Sequence, residues 1–388
     1  MKHAVMFGAG NIGRGFLGQL FSESGYEVVF VDVDEPLIAA LNERGRYRLR
    51  LVDNEHVEEL WLSPVRALNS RDAEAVAEAL SSADIAATAV GARVLPHIAP
   101  LVAAGLVRRA EGGALAPLNL IICENLHEAA AAFRQMVELH VPQSRRPDFE
   151  TSAGFVDTVI GRMVPPPTAE MRAQDPALIV VEPYKELPVD RRGFLGEIPS
   201  IVGMQPCDDF AAYTARKLYL HNCGHAMLAY LGFQRGHTFG YEALEDPAIR
   251  PVFEQALIEA QAGIVAGYKV AAGWLKAHAH DLIHRYANRA LGDKIFRLGR
   301  DPIRKLAPHD RLVGAARLAE QAGVRPEGLS WGIAAAYRFD PPDDPLAVEL
   351  QALIAADGLE AVMSRVSGIE PGEPLAALVR ERYRQVPV

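Results

Sequence analysis

Three side chains near the middle of the chain, Lys217, Asn222 and His225, have the types and spacing for chemistry. They lie in AAYTARKLYLHNCGHAMLAYL (211–231), whose apolar periodicity predicts a helix. At about 100° per residue the three fall within an arc of about 140°. One helix face would then offer an amine, an amide and an imidazole, with Gly224 leaving room beside them. A lysine serves as a metal-free general base when burial and nearby positive charge depress its pKa. An oxidised nicotinamide ring supplies such a charge, and an amide can hold a developing alkoxide oxygen. His221 shares the arc, so geometry alone does not choose between the two histidines. The ordinary alternative is a surface lysine, a core asparagine and a satisfied histidine.

Two further groups bear on ligands. RLGRDPIRKLAPHDR gathers Arg297, Arg300, Arg304, Lys305 and Arg311 in an acidic chain. These could be helix-surface charges paired with Asp301 and Asp310, or a pocket for a sugar phosphate. In the second reading Arg300 and Arg304, four residues apart, present two planar forks on one helix face, and Lys305 adds a point charge. HAHDLIH sets His280 and His284 one helical turn apart, which is metal-ligand spacing, but no HExxH and no third ligand accompany them. A solvated helix face is expected there, and no metal.

The elements that must position a cofactor stand at the start, in MKHAVMFGAGNIGRGFLGQLF. His3 to Phe7 reads as a buried strand, and Phe16, Leu17, Leu20 and Phe21 recur at helical spacing. Between them G-A-G-N-I-G is a G-x-G-x-x-G phosphate turn. Gly8 makes the tight bend, Gly10 lets a pyrophosphate approach, and Gly13 lets helix pack on strand. The N–H groups where the helix opens, at Asn11 and Ile12, face the anion. Tyr26 to Val31 is a second strand, ending at Asp32, nineteen residues beyond Gly13, where a carboxylate reaches the adenosine ribose hydroxyls. Val33 supplies no arginine for a 2′-phosphate, so NAD is expected rather than NADP. Asp34, before Pro36 and an apolar run, reads as a helix N-cap.

The 388 residues suffice for two domains, and the net charge of −9 argues against a general nucleic-acid binder. Cys123, Cys207 and Cys223 form no CxxC pair. The first strand leaves no room for a signal peptide, and no apolar run reaches about 18 residues, so a cytoplasmic protein without a membrane span is expected. Strand and helix patterns alternate through the first half: a helix from Pro36 to Glu43, YRLRLV, a helix from Ala73 to Leu80, ADIAATAV ending at Gly91, and LNLIICEN ending at Asn125. This predicts a doubly wound Rossmann-type α/β domain, with Gly91 and Asn125 at ligand-facing carboxyl ends of strands. GFVDTVIGRMVPPP and ALIVVEPYKELPVD look like added strands. The expected organisation is a dinucleotide-binding domain over 1–195 and a mostly α-helical substrate domain over 196–388.

The K-x4-N-x2-H of KLYLHNCGH resembles the signature of the polyol-specific long-chain dehydrogenases. The resemblance runs along nearly the whole chain through FGAGNIGRGF, TAVG, ICEN, GFVD and RLGRDPIRKLAPHDRL. It implies a zinc-independent enzyme that interconverts a polyol and a ketose with a nicotinamide cofactor. Lys217 would be the base, Asn222 and Asn125 would polarise the reacting oxygen, and His225 would orient the substrate. The family often reads V-D-R-I-x-P where this chain has Ile160-Gly161-Arg162-Met163-Val164-Pro165, so an expected aspartate is glycine, while Asp157 is retained. The expected reaction is NAD-dependent oxidation of mannitol 1-phosphate to fructose 6-phosphate, in a monomer or small homo-oligomer. An unphosphorylated polyol or a hexuronate is the rival substrate, and a non-catalytic NAD-binding redox sensor is the rival class. A sensor would need neither base nor oxyanion donors.

Overall fold

The computed structural model describes residues 1–113, 116–126 and 128–386. The chain forms two compact units, Met1–Phe210 and Ala211–Val388.

The first unit is built on a six-stranded parallel sheet. In chain order the strands of this unit are β1 (Lys2–Phe7), β2 (Tyr26–Asp32), β3 (Tyr47–Val52), β4 (Val57–Leu62), β5 (Val65–Asn69), β6 (Ile85–Thr88), β7 (Leu118–Ile122), β8 (Ala153–Asp157), β9 (Ile179–Val181), β10 (Leu187–Asp190) and β11 (Met204–Cys207). The main sheet has the order β5-β2-β1-β6-β7-β8. Its central strands read as apolar runs because both faces are covered. Ala4 and Met6 enter one core, and Val5 and Phe7 the other. The order reverses between β1 and β6, which opens a crevice at the carboxyl ends of those strands.

Three expectations change here. YRLRLV is a strand, but it lies outside the main sheet, between β4 (antiparallel) and β9 (parallel). Of GFVDTVIGRMVPPP only GFVD is extended, within the strand Ala153–Asp157, which closes the main sheet beside β7. The units part after Phe210 rather than after residue 195, because β11 pairs along β10 and belongs to the first core.

The second unit is helical. Its centre is a continuous helix over 210–234, flanked by Arg250–Tyr268, Ala272–Tyr286, Val313–Gln321 and Glu327–Tyr337. Glu259, fully buried, is compensated by the opening N–H groups of the last of these: its carboxylate accepts from Gly328 N at 2.8 Å and Leu329 N at 2.9 Å. Among the described residues no helix is long and apolar enough to cross a membrane.

Candidate active site

The glycine turn follows β1, with Gly8 at φ +92°. A Cβ there would stand 2.4 Å from the Ala89 carbonyl oxygen of the loop after β6, and one on Gly13 would stand 1.8 Å from the Gly8 carbonyl oxygen. Both positions are closed to any side chain. Gly10 differs: a Cβ there meets nothing within 4 Å, and the residue is exposed. The turn is thus packed shut on the protein side and open on the side where a pyrophosphate would approach. Arg14 braces it, donating from Nε to the Ala9 carbonyl at 2.5 Å and from its terminal nitrogen to the Ala177 carbonyl at 2.5 Å. Burial lowers the pKa of this guanidinium from its ordinary value.

Asp32 ends β2 as expected and also holds the turn. One carboxylate oxygen accepts from Ala9 N at 2.6 Å, and the other from Val33 N at 2.7 Å and Asp34 N at 3.1 Å. Remaining lone pairs are open to ribose hydroxyls. Asp34 caps the Glu35–Arg44 helix, accepting from Leu37 N. These residues fit a dinucleotide: open glycine, opening helix amides at Asn11 and Ile12, and an acid at the end of the second strand.

Gly91 adopts φ +90° after β6, and Asn125 is exposed after β7. Sequence reasoning passed over the residue between these loops. Glu124, 9% exposed, accepts from Val90 N and Gly91 N, both at 2.9 Å, so a single carboxylate ties the two strand ends together. Its sequence signal is an acid at the end of the buried run Leu118–Cys123. Asp157 has a helix-capping role, accepting from Ala130 N at 2.9 Å. At Gly161 a Cβ would lie 2.8 Å from the Tyr184 ring, so the tyrosine occupies the space an aspartate would need. Arg162 is buried and donates to Glu182 O, Gly15 O and Gln19 Oε1, pinning the first helix to the segment before β9.

In the second unit the central helix is not regular. Lys217–Asn222 forms a π turn between two α-helical stretches. The estimate at about 100° per residue therefore fails across this turn, because an i→i+5 bond closes a wider ring. Lys217, Asn222 and His225 are all half-buried, whereas His221 is 2% exposed. This separates the two histidines: His221 is a core side chain, and its ring lies 5.0 Å from that of His225. Burial, then Lys217, lowers both imidazole pKa values well below the ordinary range, so both are neutral. Burial, then Arg216, Arg285 and Lys217, lowers that of His278 to about 2. Tyr286 packs on His225 at 4.6 Å between ring centres, and Asp293 lies 4.0 Å from its Nε2.

The basic run does not form the expected helix face. The Ile295–Gly299 helix stops at Arg300, and a new helix, Pro302–Lys305, begins after Asp301. Pro302 cannot continue the first helix, so Arg300 stands just beyond its end and Arg304 lies on the second. Arg304 is paired with Asp301 (2.8 Å) and Asp310 (3.6 Å), Arg311 with Asp310 (2.7 Å), and Arg297 with Asp293. Lys305 offers no open point charge. It is 4% exposed, its Nζ donates to the Leu298 carbonyl at 2.6 Å and to that of Arg300, and burial, then Arg311 and Arg304, brings its pKa down to about 7. Arg300 is exposed, and its guanidinium has no hydrogen-bond or ion-pair partner among the described residues. His280 and His284 lie on the exposed face of their helix, and among the described residues no group of three or more metal-ligating side chains comes together.

Both halves of the chain match known families. Residues 2–203 match the mannitol dehydrogenase Rossmann domain, and residues 209–387 the mannitol dehydrogenase C-terminal domain. A Geobacillus thermodenitrificans protein named mannitol-1-phosphate 5-dehydrogenase is 40% identical, over 99% of this chain and 98% of its own length. The Bacillus subtilis protein of the same name is 39% identical, over 98% of this chain and 100% of its own. Among solved structures, a D-sorbitol dehydrogenase in substrate-free form superposes with a TM-score of 0.81 at 19% identity, covering 99% of this chain and 93% of that one. A Pseudomonas fluorescens mannitol 2-dehydrogenase complex with NAD and D-mannitol gives 0.70 at 18%, covering 99% and 91%. The two structures share the fold, and the two family matches between them span nearly every residue. With the open glycine turn in one unit and the lysine-bearing helix in the other, the chain belongs to the mannitol dehydrogenase family.

Proposed function

We propose that the protein interconverts D-mannitol 1-phosphate and D-fructose 6-phosphate with NAD. The observation that carries this reading is the identity of about 40% across essentially the full length of relatives named mannitol-1-phosphate 5-dehydrogenase. The site chemistry is consistent with it. Gly8, Gly10, Asn11, Ile12 and Gly13 cradle the pyrophosphate, Asp32 binds the adenosine ribose, and Gly91 lies along the cofactor loop. Bound NAD supplies the hydride acceptor.

The amine of Lys217 takes the proton of the hydroxyl being oxidised and returns it in the reverse direction. The Asn222 amide donates to the oxygen as it gains negative charge, with Asn125 assigned as the second donor. His225, held neutral by burial, can donate to or accept from a substrate hydroxyl. Arg300 is assigned to the phosphate; Arg304 would have to leave Asp301 to join it.

The engagement of Arg297, Arg304, Lys305 and Arg311 with protein partners favours a second reading, an unphosphorylated polyol. Initial rates over a panel of hexitol phosphates, free hexitols and hexuronates, with NAD and with NADP, separate the two. A clear preference for mannitol 1-phosphate with NAD is expected. Equal efficiency on free mannitol overturns the phosphate assignment, and NAD binding with no turnover of any substrate returns the sensor reading.

A further inference from the structure

A π turn is a costly irregularity, and such turns persist where surrounding contacts hold them. The one at Lys217–Asn222 spans two of the residues assigned to chemistry, and the third follows one turn later. What holds it comes from the neighbouring helix Ala272–Tyr286. Tyr286, 6% exposed, donates from its hydroxyl to the His221 carbonyl at 2.6 Å. Its ring lies 4.6 Å from that of His225 and 6.0 Å from that of His221. Gly224 makes this approach possible, since a Cβ there would stand 2.8 Å from the hydroxyl and 2.9 Å from the ring. Phe253 backs the tyrosine from the other side at 6.1 Å. The buried Nδ1 of the His221 side chain has no hydrogen-bond partner among the described residues. The backbone carbonyl is the anchored group.

We propose that Tyr286 is a positioning residue, whose hydroxyl on the His221 carbonyl and ring on Gly224 and His225 hold the wide turn in register. This rests on the dehydrogenase reading above. If the π turn relaxed to α-helix, one residue would leave the turn, and everything on one side would rotate by about 100° against the other. Lys217 would then turn by about that angle relative to Asn222 and His225, away from the arrangement the π turn sets. The bond at 2.6 Å is made in the π register and would be lost in the other, so it selects between them. Tyr286 need not touch the substrate; its effect passes through the helix.

The test is Tyr286→Phe in the full-length protein, which keeps the ring and removes the hydroxyl. Turnover should fall by about 10- to 100-fold, the cost of misplacing a catalytic group by about 1 Å. NAD affinity should be unchanged, KM should change little, and the pH dependence of kcat, which reports the acid–base group in the complex, should shift. A crystal structure of the variant should show Lys217–Asn222 closed to α-helix or its Lys217 displaced. Unchanged kcat overturns the proposal, and so does a fall in kcat with the turn intact and Lys217 in its wild-type place. If Tyr286→Phe does not fold, Gly224→Ala presses on the same contact from the helix side and should give the same split between kcat and NAD affinity. If the wild type turns over no polyol phosphate, the dehydrogenase reading fails, while the variant's crystal structure still decides whether Tyr286 sets the turn.

Discussion

Replacing Gly10 and Gly13, three residues apart in the same turn, separates the cofactor role of the turn from its structural role. In Gly13→Ala the new Cβ would lie 1.8 Å from the Gly8 carbonyl oxygen, and contacts under 3.0 Å are essentially never made. The obstacle is backbone, so no rotamer change relieves it. The turn or the helix must move by about 1 Å, at a cost of about 1–3 kcal/mol or more. In Gly10→Ala the Cβ meets nothing within 4 Å and the residue does not sit at positive φ. The alanine should leave stability unchanged or raise it by about 0.4–1 kcal/mol, through a less flexible unfolded chain. It nevertheless fills the space the pyrophosphate should occupy. NADH affinity, read by fluorescence titration, should fall at least 10-fold, which is about 1.4 kcal/mol. Thermal unfolding of the two variants supplies the other half: melting temperature lowered for Gly13→Ala and held for Gly10→Ala. Wild-type NADH affinity in Gly10→Ala would refute the placement of the cofactor on this turn.

Lys217→Ala should lower kcat by about 100-fold or more while NAD still binds, and Asn222→Ala should cost about 2–4 kcal/mol of transition-state stabilisation in kcat/KM; activity abolished by a chelator and restored by zinc would contradict the lysine mechanism. Asp32→Ala should narrow the preference for NAD over NADP, and an unchanged ratio would place that selection elsewhere. Arg300→Ala should raise KM for mannitol 1-phosphate with a smaller change in kcat, and Arg304→Ala should do less because Asp301 already holds that guanidinium; wild-type KM in both would make the run a charged surface. Burial keeps His221, His225 and His278 neutral in the native state, with pKa values below the usual 6.5, so the unfolded chain binds more protons as pH falls. Stability should therefore drop below about pH 6.5, by up to about 1.4 kcal/mol per pH unit for each imidazole, and His278→Gln should flatten that slope in melting curves taken from pH 7 to 5.

The parts of the molecule that were legible in its sequence are those governed by local rules. β1, the glycine turn and β2 follow from a buried apolar run, a tight bend and a second apolar run, and each stands within a residue or so of its expected place. Asp34 caps its helix because a short acceptor before Pro36 can do little else. What sequence spacing could not convey depends on partners distant in the chain. The π turn at Lys217–Asn222 has no local mark, since its tyrosine is supplied by another helix. The basic run reads as a cluster of cations, yet Asp293, Asp301 and Asp310 take up three of them and two carbonyls take up Lys305. The role of Glu124 is set by the neighbouring strand end, whose two N–H groups it receives. Tyr286 and Asp293 carry no local sequence mark for the same reason.

On the proposed reading, the lysine-bearing helix serves oxidation of a phosphorylated hexitol at the expense of NAD. It is tested most directly by incubating the purified full-length protein with mannitol 1-phosphate and NAD, following NADH formation, and identifying the sugar product by NMR. One fructose 6-phosphate for each NADH is expected in the wild type, and neither product above background in Lys217→Ala despite intact NADH binding. Formation of a different ketose or aldose phosphate, or wild-type turnover in Lys217→Ala, would contradict it.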